Sequence, residues 1–141
     1  MSFEEELLAD LNVFIKAGNV SIKKSSDVYF NRLAEFFPLY GSKIHWGKVA
    51  DSVVDFASNK NDVTEWVIFF NSMVKHKGLS GKVIYLNDSA IECVLIISLD
   101  TLSKCIQPIL EFPDHHYFIA EDYAWCMCFT MEGDMTFGFK P

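Results

Sequence analysis

Residues 115–139 read HHYFIAEDYAWCMCFTMEGDMTFGF. Trp125, Met127, Phe129 and Met131 alternate with Ala124, Cys126, Cys128 and Thr130, the two-residue period of a strand that is apolar on both faces. Such a strand belongs in the middle of a sheet, covered on both sides. Glu121-Asp122-Tyr123 before it and Glu132-Gly133-Asp134 after it have turn composition. Residues 115–120, 124–131 and 135–139 therefore read as an antiparallel meander. Upstream, Val83, Ile84, Tyr85 and Leu86 lead through the polar Asn87-Asp88-Ser89 into 91–97, a candidate hairpin. Between hairpin and meander, Ser98 with Asp100 and Thr101 offers a helix start, and Leu99, Leu102, Ile106, Ile109 and Leu110 follow at helical spacing. Pro108 is expected to kink or end that helix.

The first half of the chain has the longer period. Ser2 and Glu5 form a capping box, and Phe3, Leu7, Leu11 and Phe14 carry a helix over about 3–17, stopped at Gly18. Ser26 is expected to cap a second helix with Tyr29, Leu33, Phe36 and Phe37 buried and Pro38 ending it. From about His45, the spacing of Trp46, Val49, Ala50, Val53 and Val54 predicts a third. Asn61 or Asp62 caps a fourth, with Trp66, Phe69, Phe70, Met73 and Val74 on one face and Gly78 as a left-handed terminator. The order α, α, α, α, β, β, α, β, β, β defines an α+β class, with N-terminal helices packed on one face of a mainly antiparallel sheet of about five strands and one helix inserted between strands. We expect one domain over 1–141, helical to about 78 and sheet from about 79.

Composition bounds what such a domain can do. Of 141 residues, 50% are hydrophobic and 22% charged, which rules out a disordered or collagen-like chain. The net charge is −7, and it is unevenly placed: residues 1–77 carry 9 basic and 10 acidic side chains, residues 78–141 carry 3 and 9. That excess of carboxylates disfavours nucleic acid as a direct ligand and attracts a basic protein or a cation. The opening MSFEEELLADL lacks the basic residues and the cleavage site of a secretory signal, and no stretch is long and apolar enough to span a membrane. The expected location is the cytoplasm, with Cys93, Cys105, Cys126 and Cys128 as reduced core thiols.

Chemistry-bearing patterns are few. The glycines are scattered, without GxGxxG or GxxxxGKS, so no phosphate-cradling loop is expected. His115 and His116 with Cys126 and Cys128 are the nearest approach to a metal set. The two cysteines share a strand face, only one of the adjacent histidines can join them, and three ligands with an open position is a catalytic count. A thiolate at Cys126 or Cys128 would be opposed by Glu121, Asp122, Glu132 and Asp134. Asp114 with Glu132 is the one carboxylate pair considered for acid–base work, and it reads equally as turn residues. His45 and His76, at helix edges, are given no role. We expect no cofactor and no metal.

What remains is a surface: the acidic turns stand beside Tyr117, Tyr123, Trp125 and Phe137, and aromatic anchors with a charged rim are the composition of a protein interface. Residues 115–125 and 130–138, about the last thirty of the chain, resemble the C-terminal segment of small acidic immunity proteins of bacterial contact-dependent growth-inhibition and related polymorphic toxin systems. That resemblance implies a cytoplasmic antidote that binds one cognate toxin domain, often a basic nuclease, and blocks it without catalysis. It brings no map of binding residues. From charge and turn position we take Asp114, Glu121, Asp122, Tyr123, Glu132 and Asp134 as partner-binding candidates. Two other readings stand beside it: a small metal-dependent or thiol enzyme using His115 or His116 with Cys126 and Cys128, and a regulatory adaptor domain. We expect a monomer, or a weak dimer through a sheet edge.

Overall fold

A computed structural model describes residues 2–41, 43–58, 63–88, 91–112 and 114–141. Ser2 Oγ accepts the Glu5 N–H at 3.1 Å and starts α1 (Phe3–Asp10) as its capping box predicts. The expected single helix is broken at Leu11, and α2 (Asn12–Lys16) follows before Gly18 turns the chain at φ +79°. The next four residues form β1 (Val20–Lys23), a strand absent from the sequence reading. In α3 (Ser26–Phe36), Ser26 is the first helical residue rather than the cap; Ser25, left-handed at φ 68°, flanks it. The helix ends before Pro38, as expected.

The helix expected from His45 does not form. Instead β2 (Leu39–Tyr40) and β3 (Lys43–Ile44) make a small hairpin, Trp46–Lys48 forms one 3-10 turn, and β4 (Val53–Phe56) is extended. Gly47 is a poor helix residue, Asp51 sits at φ 57°, and Val53 and Val54 are β-branched; four register pairs with the last strand then hold β4 extended. In α4 (Thr64–His76), Trp66, Phe69, Phe70 and Met73 are buried and Gly78 terminates the run at φ +62°. The expected caps Asn61 and Asp62 lie outside the described residues. The remainder is β5 (Lys82–Asn87), β6 (Val94–Ser98), α5 (Leu99–Leu110), β7 (His116–Ala120), β8 (Trp125–Phe129) and β9 (Asp134–Phe139). Ser98 Oγ accepts from Thr101 N–H and caps α5, and Pro108 falls in its last turn, two residues before the end. The strand expected over 91–97 begins only at Val94, although Ile91 and Cys93 are buried.

The class is α+β with an antiparallel sheet, but the sheet has seven strands rather than about five, in the order β1-β6-β5-β7-β8-β9-β4. The two additional strands, β1 and β4, come from the half expected to be helical and form the two edges. Every neighbouring pair is antiparallel; α5 carries the chain from β6 past β5, so β7 pairs on its far side. Both faces of the sheet are covered. One face packs Leu7, Leu11, Trp66, Phe70, Leu102 and Ile106 against Tyr85, Phe118, Met127 and Phe129. The other packs Leu33, Phe37, Ile44 and Val49 against Ile84, Ile119, Cys126 and Cys128. Helices therefore lie on two faces, not one, because α3 leaves the other helices. β8 is buried along its whole length, as its two apolar faces require. No helix among the described residues is long and apolar enough to cross a membrane.

Gly138 in β9 shows how closely the 3-10 turn is seated. A Cβ there would stand 2.8 Å from Trp46 Cζ3 and 2.8 Å from Val49 Cγ1. Gly138→Ala is expected to cost about 1–3 kcal/mol by overpacking. Urea unfolding reads this, and an unchanged midpoint would show that the turn shifts freely.

Candidate functional site

The six partner-binding candidates fall into two groups at opposite ends of β7, five residues and roughly 16 Å long. At its C-terminal end is the turn 121–123. Tyr123 N–H donates to Ala120 C=O at 2.7 Å, Asp122 Oδ1 accepts Ala124 N–H at 3.0 Å, and Tyr123 takes φ 62°. Glu121 and Asp122 are exposed on the rim of an open groove of about 490 Å3 that Lys77, Lys82, Trp125 and Phe139 also line. Tyr123 is buried and stacks on Phe36 at 5.4 Å.

At the other end lie Asp114, Glu132 and Asp134. Asp114 is buried, with Oδ1 accepting His115 N–H at 2.7 Å. Asp134 holds its own turn: Oδ2 accepts Thr130 Oγ1–H at 2.9 Å, and its N–H donates to Thr130 Oγ1 at 3.1 Å. Glu132 is exposed and meets Lys43 Nζ at 3.2 Å, which ties the β2–β3 hairpin to the β8–β9 turn; His115 Nδ1 is 3.8 Å from it. Its own backbone N–H, and then Lys43, hold the Glu132 carboxyl below the usual glutamate range. Exposed acidity is thus carried by Glu121, Asp122 and Glu132, while Asp122 and Asp134 also have structural duties. The aromatic anchors expected beside these turns are core residues: Tyr117, Tyr123, Trp125 and Phe137 are all buried.

The histidine–cysteine set does not assemble around His116. Adjacent residues of a strand point to opposite faces, and His116 faces Trp66 and Tyr85 while Cys126 and Cys128 face the α3 side. Both of its ring nitrogens are occupied. Nε2 lies 2.9 Å from Phe112 C=O, which can only accept, so Nε2 carries the proton. Nδ1 then accepts Tyr85 O–H at 2.7 Å, and the Tyr85 oxygen accepts Asn87 Nδ2–H at 3.0 Å. Burial drives the His116 pKa down to about 4, which keeps the ring neutral. His115 precedes β7 and is held at the β8–β9 turn, where its Nδ1 accepts Met131 N–H at 3.2 Å. Among the described residues no group of three or more His, Cys, Asp or Glu is placed to hold a metal ion. Cys126 and Cys128 have Sγ atoms 3.6 Å apart and are buried; desolvation raises the Cys126 thiol well above its ordinary range. The other two thiols are buried as well, and desolvation pushes Cys93 up to about 12 and Cys105 up to about 11. Cys93, Cys105 and Cys126 are thus protonated packing residues.

A surface that sequence reasoning missed lies at the β4 edge. Phe56 is more than half exposed, as is Ile68 on α4; Val54, also exposed, lines a separate groove on the α3 side with Ile44, Tyr117 and Cys128. Val54 was expected in a buried helical stripe; the run Val53-Val54-Asp55-Phe56, three apolar residues including two β-branched ones, was the available strand signal. Compared with known families and curated proteins, the chain matches no family model and no curated sequence.

Proposed function

We propose that this chain is an immunity protein: it binds one cognate toxin domain of basic charge and neutralises it by stoichiometric contact, in the cytoplasm, without catalysis. The observation that carries the reading is where the charge lies on the fold. The acid-rich second half forms five of the seven strands, and its turns present Glu121 and Asp122 at one end of the sheet and Glu132 at the other. Carboxylates so placed attract a basic partner and accelerate encounter, and against a nuclease they stand where phosphates would. The composition and the C-terminal resemblance support the same reading. A metal or thiol enzyme draws no support from His116 and Cys126, which face apart. An adaptor domain would use the same surfaces and differs only in its partner.

Native mass spectrometry of the gently purified protein from its source cells tests the proposal. The expected result is a 1:1 complex with a basic polypeptide that, once freed, arrests growth or degrades nucleic acid. A harmless partner, or one zinc per chain, would overturn it. Within that complex Glu121→Lys with Glu132→Lys is expected to weaken binding about tenfold at low salt, with the difference shrinking as salt rises. These two positions are chosen because Asp122 and Asp134 hold their turns. Loss of the exposed Glu132–Lys43 contact should lower the melting temperature by only a few degrees, leaving the domain folded.

A further inference from the structure

A groove of about 470 Å3 opens between β4 and α4; it lies away from the 121–123 turn and adjoins the 132–134 turn, where Phe56 pairs with Asp134, but neither Glu121 nor Glu132 lines it. Val53, Phe69, Met73 and Met135 line its apolar surface, and Ile68 stands 62% exposed beside it. Phe56 is 63% exposed where β4 borders the groove. Exposed side chains of this size, grouped beside one cavity, are what an interaction site presents. The charged residues that line it, among the described residues, are Asp55 and Glu65, both acidic. A second copy of the chain fits poorly. Each copy carries −7, and pairing two β4 edges would bring Asp55 carboxylates together. The edge is also blunted, because Phe56 N–H, which points away from β9, is taken by Asp55 Oδ1 at 2.8 Å.

We propose that this groove receives an amphipathic segment of a basic partner protein, one apolar side chain entering between Ile68 and Val53 while lysines or arginines meet Asp55 and Glu65. The inference rests on the reading above in taking the occupant to be protein. It adds a surface that the acidic turns do not include. An apolar anchor supplies affinity and the carboxylate rim selects for charge.

The test uses three short synthetic peptides, one of leucine and lysine, one of leucine and glutamate, one of serine and lysine, titrated into the full chain and followed by NMR. The leucine–lysine peptide is expected to shift the Ile68 and Met73 methyl signals and the Asp55 and Phe56 amides. Ile68→Arg, at an exposed position, should weaken it about tenfold, and salt near 0.5 M should weaken it further. An equal response to serine–lysine, shifts confined to the 121–123 turn, no shift at all, or no effect of Ile68→Arg would each overturn the groove. Concentration-dependent shifts of the same signals without peptide would assign it to a second copy instead. The immunity reading stands or falls separately, on whether the partner recovered from cells is toxic.

Discussion

Between pH 6.5 and about pH 4 the protein is expected to lose up to about 3 kcal/mol of stability through His116 alone. The imidazole is neutral in the fold and its pKa there is about 4, against 6.5 in an unfolded chain. Across that window the unfolded state binds the extra proton and the native state does not. Stability therefore rises with pH through the window, is complete above 6.5, and is withdrawn as the pH falls. The main cause is burial, which disfavours the charged ring; in addition, to take a second proton Nδ1 would have to give up the Tyr85 O–H it accepts at 2.7 Å. Urea midpoints of wild type and His116→Phe, measured at intervals from pH 7.5 to 4, isolate the contribution, since titrating carboxylates are common to both. The variant should be less stable at pH 7 by about 1–3 kcal/mol, because Phe112 C=O and Tyr85 O–H lose their partner. Its curve should be flatter in acid. Parallel curves would show that His116 is not the titrating group.

Replacing Phe118 by alanine is expected to cost about 3–5 kcal/mol, a large fraction of the roughly 5–15 kcal/mol stability of an ordinary domain. Phe118 is fully buried on β7, paired with Tyr85 of β5 and Met127 of β8. Its ring meets Phe70 of α4 at 5.9 Å, Tyr85 at 5.1 Å and Phe129 at 5.9 Å, so it joins the helical layer to three adjacent strands. Phe56→Ala removes the same atoms from a side chain 63% exposed and should change the stability by about 0.5 kcal/mol or less. Urea unfolding of the two variants compares them directly. A loss below about 1 kcal/mol at Phe118 would mean that the core closes over the vacated space.

Where an element is decided by its own residues, it was legible. The alternation through β8 placed a doubly covered strand, Ser98 capped α5, Ser2 with Glu5 capped α1, and Gly78 ended α4 in the left-handed region. Residues 45–56 show the opposite case. Trp46, Val49 and Val53 satisfy a helical spacing, yet Val53 and Val54 also suit a strand, and the choice fell to β9, whose open side offered four pairs. β1 is four residues with only Val20 buried, too short to announce itself, and it forms because β6 has an unpaired side. The candidate surface was harder still. Acidic turns at the two ends of β8 are visible in a sequence, but that Asp114 joins Glu132 and Asp134 at one end follows from the β7–β8 register, and that Tyr123 and Asp114 are buried follows from what packs over them.

The sequence by itself thus determined an acidic α+β chain, the meander with its turn residues, and the caps and stops of most helices, since these depend on neighbours a few positions away. Only the tertiary structure decided the seven-strand order, the helix on the second face, the enclosure of His116 with Tyr85, and the groove between β4 and α4. Those depend on pairings between residues far apart in the chain, and an unpaired strand edge takes whichever segment can complete its hydrogen bonds.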